Sequence, residues 1–181
     1  MSADDDTRRE LGLVQLYMGD GKGKTTAALG LAFRAAGRGL RVVMIQFLKP
    51  AGDCGEQAMA ERVDGITILP MGLDHMSGRA VTREEDVRSA KAALAKADQV
   101  LRSGEYDIVI LDEANNAVRM GFLEAKDLIR VLDSRAKQVE VVLTGRCTSQ
   151  DLVDYADLVT EMRLVKHPFR DGTGARAGIE Y

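Results

Sequence analysis

No run of apolar residues in this 181-residue chain approaches the roughly 20 needed to cross a bilayer, so no membrane span is expected. Nor is there a basic excess. The formal net charge is −3, which removes the electrostatic case for nucleic acid as the main partner. Cysteine is scarce, and Cys54 and Cys147 are too few and too far apart for a disulfide framework or a cysteine metal site. They read as buried or inert thiols, in keeping with a reducing, cytoplasmic setting. Internal repeats, linkers and low-complexity tracts are missing as well. The opening "MSADDDTRRE" is acidic and polar, which excludes a secretion signal there. Residues 1–11 are expected to form a flexible polar tail ahead of a single domain over 12–181.

What remains has the composition of an ordinary globular domain: 45% apolar and 29% charged residues, in a chain long enough for a real core. Short apolar runs recur at Leu13 to Met18, Arg41 to Leu48, Ile66 to Leu69, Asp107 to Leu111 and Val139 to Thr144. A sixth is expected at Leu158 to Val165. They are rich in Val, Ile and Leu, and "DIVIL" is apolar on both alternating sets, which predicts strands buried on both faces, as in a parallel sheet. Helical patterns separate them. Leu29, Ala32, Phe33 and Ala36 share one face before Gly37 stops the pattern. Thr82 and Glu85 form a capping box for a helix reaching about Arg102, with Gly104 after it. A third helix carries Ala125, Leu128, Ile129 and Leu132, and a fourth starts near Thr148 or Ser149. Pro50 to Gly65 reads as mixed loop and short helix. Alternation of strand and helix calls for right-handed crossovers and a sheet covered on both sides.

The stretch "YMGDGKGKTTAALG" carries the chemistry. The general phosphate-loop pattern is G-x-x-x-x-G-K-[ST]; Gly23, Lys24 and Thr25 supply its end, Thr26 follows, and Met18 stands where the first glycine belongs. Gly19 and Gly21 keep the loop glycine-rich, with Asp20 and Lys22 between. Glycine leaves room for oxygens to approach backbone amides, which form an anion nest at a helix N-terminus. Lys24 suits terminal phosphate oxygens, and the Thr25 hydroxyl suits a magnesium ion. Further on, "ILDE" ends a strand with Asp112 and Glu113, where doubly wound sheets bind ligands. Asp112 fits the outer shell of magnesium and Glu113 a direct or water-mediated role; an acidic helix cap is the other reading. Arg146, ending "LTGR", is placed to donate to phosphate, or is a surface arginine. The expected fold is therefore α/β: a single-domain P-loop NTPase-like (RecA-like) protein, its mostly parallel sheet flanked by helices on both faces.

From about Gly12 to Tyr181 the chain resembles the P-loop family of corrinoid adenosyltransferases. The resemblance rests on "GDGKGKTTAALG", "VVMIQFLK", "ILDE", "LTGR" and the tail "VKHPFRDGTGARAGIEY". It implies transfer of the 5′-deoxyadenosyl group of ATP to the cobalt(I) centre of a corrinoid, with triphosphate as the leaving group. ATP is then the co-substrate, Mg2+ or Mn2+ the ion, a reduced flavoprotein the kind of electron donor, and a homodimer the expected assembly. Lys24, Thr25 and Glu113 would serve the reaction, and Thr25, Asp112 and Glu113 the ion. ATP or corrinoid would be bound by residues 19–26 together with Arg34, Gln46, Arg146, Leu73 and His75.

The chain also departs from the family. Met18 stands where members often carry threonine. In "MGLDHMSG", Leu73 and His75 occupy positions where some members place aromatics that exclude the lower axial ligand of cobalamin. Leu73 fits an apolar wedge. His75 is either a surface histidine or a partner of the corrin edge or the cobalt. The N-terminal helix that covers the site in longer members is not expected here. The tail is expected to fold over the corrinoid or nucleotide edge, with His167, biased to an extended form by Pro168, as a positioning element. Two other functions share the motifs: a phosphoryl-transferring kinase or ATPase, and a corrinoid or nucleotide carrier that does no chemistry.

Overall fold

The computed structural model of the protein describes residues 5–52, 54–75, 80–146, 149–168 and 172–180. The six expected apolar runs are strands β1 (Val14–Met18), β2 (Val42–Gln46), β3 (Ile66–Pro70), β4 (Ile108–Asp112), β5 (Glu140–Thr144) and β6 (Leu158–Glu161). They form one sheet in the order β3-β2-β4-β5-β1-β6, and every pairing is parallel. β2, β4 and β5 are buried along their whole length, as their unbroken apolar runs require. The sixth run is shorter than its sequence pattern: pairing with β1 ends at Glu161, and Met162 onward turns over the loop that follows β1.

Helix α2 (Lys24–Ala36) lies alone across much of one face. Ala28, Ala32 and Ala35 pack with Met44, Ile110 and Val142, and their small side chains let the helix approach the sheet closely. The opposite face carries α4 (Arg83–Ser103), α5 (Ala114–Arg119), α6 (Ala125–Asp133) and α7 (Gln150–Tyr155). There Ala97, Leu101, Leu128, Leu132 and Leu152 close over Val43, Val109, Leu111, Val141 and Leu143. The capping box at α4 is present: Glu85 N donates to Thr82 Oγ1 and Thr82 N donates to the Glu85 side chain. Gly104 ends α4 in the left-handed region. α5 is absent from the sequence pattern, because six residues give too short a window for a helical period. α3 (Gly55–Ala60) is the short helix of the irregular stretch between β2 and β3.

The expectation of a flexible tail over 1–11 needs correction for its described part. Residues Asp5–Arg9 form helix α1, Arg8 Nε donates to Asp107 Oδ1 at 2.8 Å, and Leu11 packs on the α2 side of the core. Charge complementarity at the foot of the sheet, between Arg8, Arg41 and the buried Asp107, holds it there.

Candidate functional site: the phosphate loop and the acidic strand end

β1 delivers the chain into the glycine loop, and α2 begins at Lys24. Two glycines of that loop are needed for packing as well as for ligand approach. A Cβ on Gly19, whose φ is +98°, would stand 2.5 Å from the carbonyl oxygen of Met162; one on Gly21 would stand 2.6 Å from the same atom. The loop is thus pressed against the chain leaving β6, and Gly21 N donates to Met162 O at 2.6 Å. Lys24 is buried, its Nζ donating to Gly19 O at 2.7 Å and Gly21 O at 2.6 Å. Burial pulls its pKa below the ordinary lysine value, against the attraction of Glu113. It is a cation held inside its own loop, with its preferred partner, a polyphosphate, able to replace two carbonyls.

β5 lies between the strands that carry the loop and the acidic pair, and supplies the link between them. Thr25 Oγ1 donates to Asp112 Oδ1 at 2.8 Å, and Thr144 Oγ1 donates to the same oxygen at 2.7 Å. Thr144 Oγ1 also accepts from Glu113 N at 2.9 Å. Oδ2 of the fully buried Asp112 has no hydrogen bond, only Lys49 Nζ at 3.4 Å. An orphaned carboxylate oxygen beside a threonine hydroxyl at a phosphate loop is an oxygen donor set suited to Mg2+. Among the described residues no group of three His, Cys, Asp or Glu could hold a metal, so phosphate oxygens and water would complete such a shell. Glu113 is the one described non-glycine residue with positive φ, at 63°. That backbone turn starts α5 and brings the Glu113 side chain to the cavity wall. Burial and the neighbouring Asp112 raise its pKa, and Asn116 Nδ2 donates to its carboxylate. Asn116 Oδ1 in turn accepts from Arg146 N at 3.0 Å, tying the loop after β5 to α5.

These groups open into a cavity of about 1280 Å³. Residues 20–26, Glu113 and Arg146 line it. Gly19 sits just beneath, donating its N–H to Arg146 O at 2.7 Å. His167 and residues 178–180 of the tail form part of its wall, and Lys22 Nζ donates to Ile179 O at 3.0 Å. Other expected residues are not brought there. Arg34 is exposed in the last turn of α2, and its neighbour Phe33 lines the cavity instead. Gln46 is buried beneath the wall, donating to Glu56 at 3.1 Å and accepting from Gln57 at 2.8 Å. Leu73 and His75 are not lining residues, and His75 Nε2 lies 3.0 Å from Asp86 Oδ1 on α4. Cys147 lies outside the described residues; Cys54 is half-buried at the start of α3.

Sequence reasoning missed Lys49, Glu56 and Thr144. It also missed an apolar wall of Leu29, Phe33, Met59, Val63, Ile66 and Ile68, formed where α2 and the segment after β2 meet the edge strand β3. Only "QFLK" hinted at Lys49, and it carried no role.

A glycine-rich loop between strand and helix, a buried lysine, and a threonine hydrogen-bonded to an aspartate on a nearby parallel strand define a P-loop nucleotide-binding protein. The chain belongs to the ATP:corrinoid adenosyltransferase BtuR/CobO/CobP family, whose model matches residues 10–181. It is 37% identical over 175 residues to the corrinoid adenosyltransferase of Sinorhizobium sp, spanning 95% of this chain and 81% of that one. The corrinoid adenosyltransferase of Pseudomonas aeruginosa is 36% identical over 96% of this chain and 86% of its own length. That of Escherichia coli K12 is 35% identical over 95% and 87%. Among solved structures, a KaiC-like protein of Pyrococcus horikoshii aligns at 18% identity with a TM-score of 0.48, over 76% of this chain and 62% of that one.

Proposed function

We propose that this protein transfers the 5′-deoxyadenosyl group of ATP to the cobalt(I) centre of a corrinoid and releases triphosphate. The observation that carries this is the hydrogen bond from Thr25 to Asp112, which joins phosphate loop and acidic strand end in a chain of this family. A cobalt(I) nucleophile requires no general base, so the protein's work is done on the leaving group and on alignment. Triphosphate gains charge as the C5′–O bond breaks. The amides of the glycine loop that make no backbone bond of their own are fixed before the reaction and meet that charge without reorganising, whereas those of Gly19 and Gly21 are held by Arg146 O and Met162 O. Lys24 exchanges the Gly19 and Gly21 carbonyls for phosphate oxygens, and Arg146 adds a second cation at the rim.

Thr25, Asp112 and Glu113 would hold a divalent ion, Mg2+ or Mn2+. When bound, that ion supplies positive charge to the departing oxygens. Thr144 keeps Asp112 oriented from below. The apolar wall of Phe33, Met59 and Ile68, on which Phe33 and Met59 stand exposed, suits a flat, largely apolar group. A reduced flavoprotein is the kind of partner that would bring the corrinoid to cobalt(I), and a cytoplasmic homodimer is the assembly in keeping with the family resemblance. Lower-ligand displacement by Leu73 and His75 forms no part of this reading, since neither lines the cavity.

The test is anaerobic incubation with ATP, Mg2+ and a chemically reduced corrinoid. Growth of the cobalt–carbon absorbance together with stoichiometric triphosphate is the expected result. ADP as product would assign phosphoryl transfer instead, and tight ATP binding with no spectral change would assign a carrier.

A further inference from the structure

Lys49 stands at the end of β2, across from the acidic end of β4, and no step above uses it. Its Nζ lies 2.7 Å from Glu56 Oε1 and 3.4 Å from Asp112 Oδ2. Glu56 is itself fixed, accepting from Gln46 Nε2 at 3.1 Å, while Gln57 from α3 holds Gln46 at 2.8 Å. Both Lys49 and Glu56 line the cavity that contains Lys24, Thr25 and Glu113. The ammonium therefore has two partners: a rigidly held one, and the one buried carboxylate oxygen among the described residues that lacks a hydrogen bond.

Glu113 lines the cavity where a highly anionic polyphosphate must arrive, and the fully buried Asp112 lies next to it in the chain. Without a cation between them, each would repel the other. A divalent ion settling at Thr25 and Asp112 would in turn be repelled by an ammonium with nowhere to go. Glu56 gives it somewhere to go, within 2.7 Å.

We propose that Lys49 is a resident counter-charge for Asp112: it neutralises the acidic strand end until a divalent ion arrives, then rests on Glu56 alone. The inference rests on the nucleotide-binding reading of this cavity. Lys49 is on this account a positioning residue, whose effect is visible in the metal dependence of nucleotide affinity rather than in affinity as such.

ATP binding to the full-length protein is measured by calorimetry in excess chelator and again in saturating Mg2+. For Lys49→Met, affinity in chelator is expected to fall about tenfold, equivalent to about 1.4 kcal/mol, and to fall less than about twofold in Mg2+. Glu56→Gln strands the ammonium on Asp112, so the Mg2+ concentration needed to strengthen ATP binding is expected to rise about tenfold; Lys49→Arg should behave like the unmodified protein. Equal losses with and without Mg2+ would make Lys49 a plain phosphate contact and overturn the proposal, as would no loss in either condition. An unfolded Lys49→Met variant leaves the Glu56→Gln titration to decide, and an unchanged Mg2+ midpoint there overturns it. Failure of the unmodified protein to bind ATP in Mg2+ is a separate outcome, which sinks the reading of the cavity itself and the inference with it.

Discussion

Thr144→Val tests whether the floor of the site is held as the hydrogen bonds indicate. Valine matches threonine in shape, so packing in the fully buried β5 changes little. The hydroxyl makes two bonds there, donating to Asp112 Oδ1 at 2.7 Å and accepting from Glu113 N at 2.9 Å. The first is a hydrogen bond to a charged group, worth about 1.5–3 kcal/mol, and the second leaves an N–H unpaired at a cost of about 1–3 kcal/mol. The two share an atom and do not simply add, so the expected loss is about 2–4 kcal/mol, or roughly 5–15 °C in Tm for a chain of this size. Glu113 also loses the bond that secures its left-handed backbone, so turnover is expected to fall together with stability. Thermal and urea unfolding measure the first effect, and the anaerobic cobalt–carbon assay the second. Thr144→Ser keeps the hydroxyl and should stay within about 1 kcal/mol of the unmodified protein, the loss of one methyl group. A Thr144→Val variant within about 0.5 kcal/mol of the unmodified protein would refute the argument.

Lys24→Ala removes the buried ammonium and is expected to lower turnover at least about a hundredfold at saturating ATP and Mg2+; near-normal rates would exclude Lys24 from the reaction. Gly19→Ala places a methyl group against the Met162 carbonyl at a φ that only glycine adopts readily, so ATP affinity should drop more than about tenfold and Tm should fall; unchanged calorimetry would show that the loop can shift. Asp98 accepts from Ser134 Oγ at 2.7 Å and Arg102 Nε at 2.8 Å, and these bonds depress its pKa. Its contribution is present above the unfolded-state pKa and fades as pH falls through the folded one. Asp98→Asn should therefore cost about 0.5–1 kcal/mol at neutral pH, and the gap should close in acid below about pH 3.9. A gap that does not depend on pH would assign the loss to packing.

Much of the frame is written locally. The period-2 and period-3.6 patterns, the Thr82–Glu85 box and the glycines at 37 and 104 mark strands and helix ends, because each depends on residues within one turn or one strand. The phosphate loop is legible for the same reason: residues 19–26 are contiguous, and 20–26 line the cavity. Asp112 and Glu113 are legible because an acidic pair ending an apolar strand has few other uses. Arg34 shows the limit. Its helix does begin at the phosphate loop, yet at 3.6 residues per turn Thr26, Leu29, Gly30 and Phe33 share the face that meets the cavity and Arg34 is turned away from it.

Thr144, Lys49 and Glu56 belong to the site only because β5 inserts between β1 and β4, and β2 pairs with β4. Strand order is a contest among pairings of segments far apart in sequence, and no local spacing records its outcome. The amino-acid sequence by itself determined that this protein has a phosphate loop, an acidic strand end and a parallel α/β frame. Tertiary structure decided which side chains reach them, for a physical reason: hydrogen bonds and charge pairs act over about 3–4 Å of space, whatever the distance along the chain.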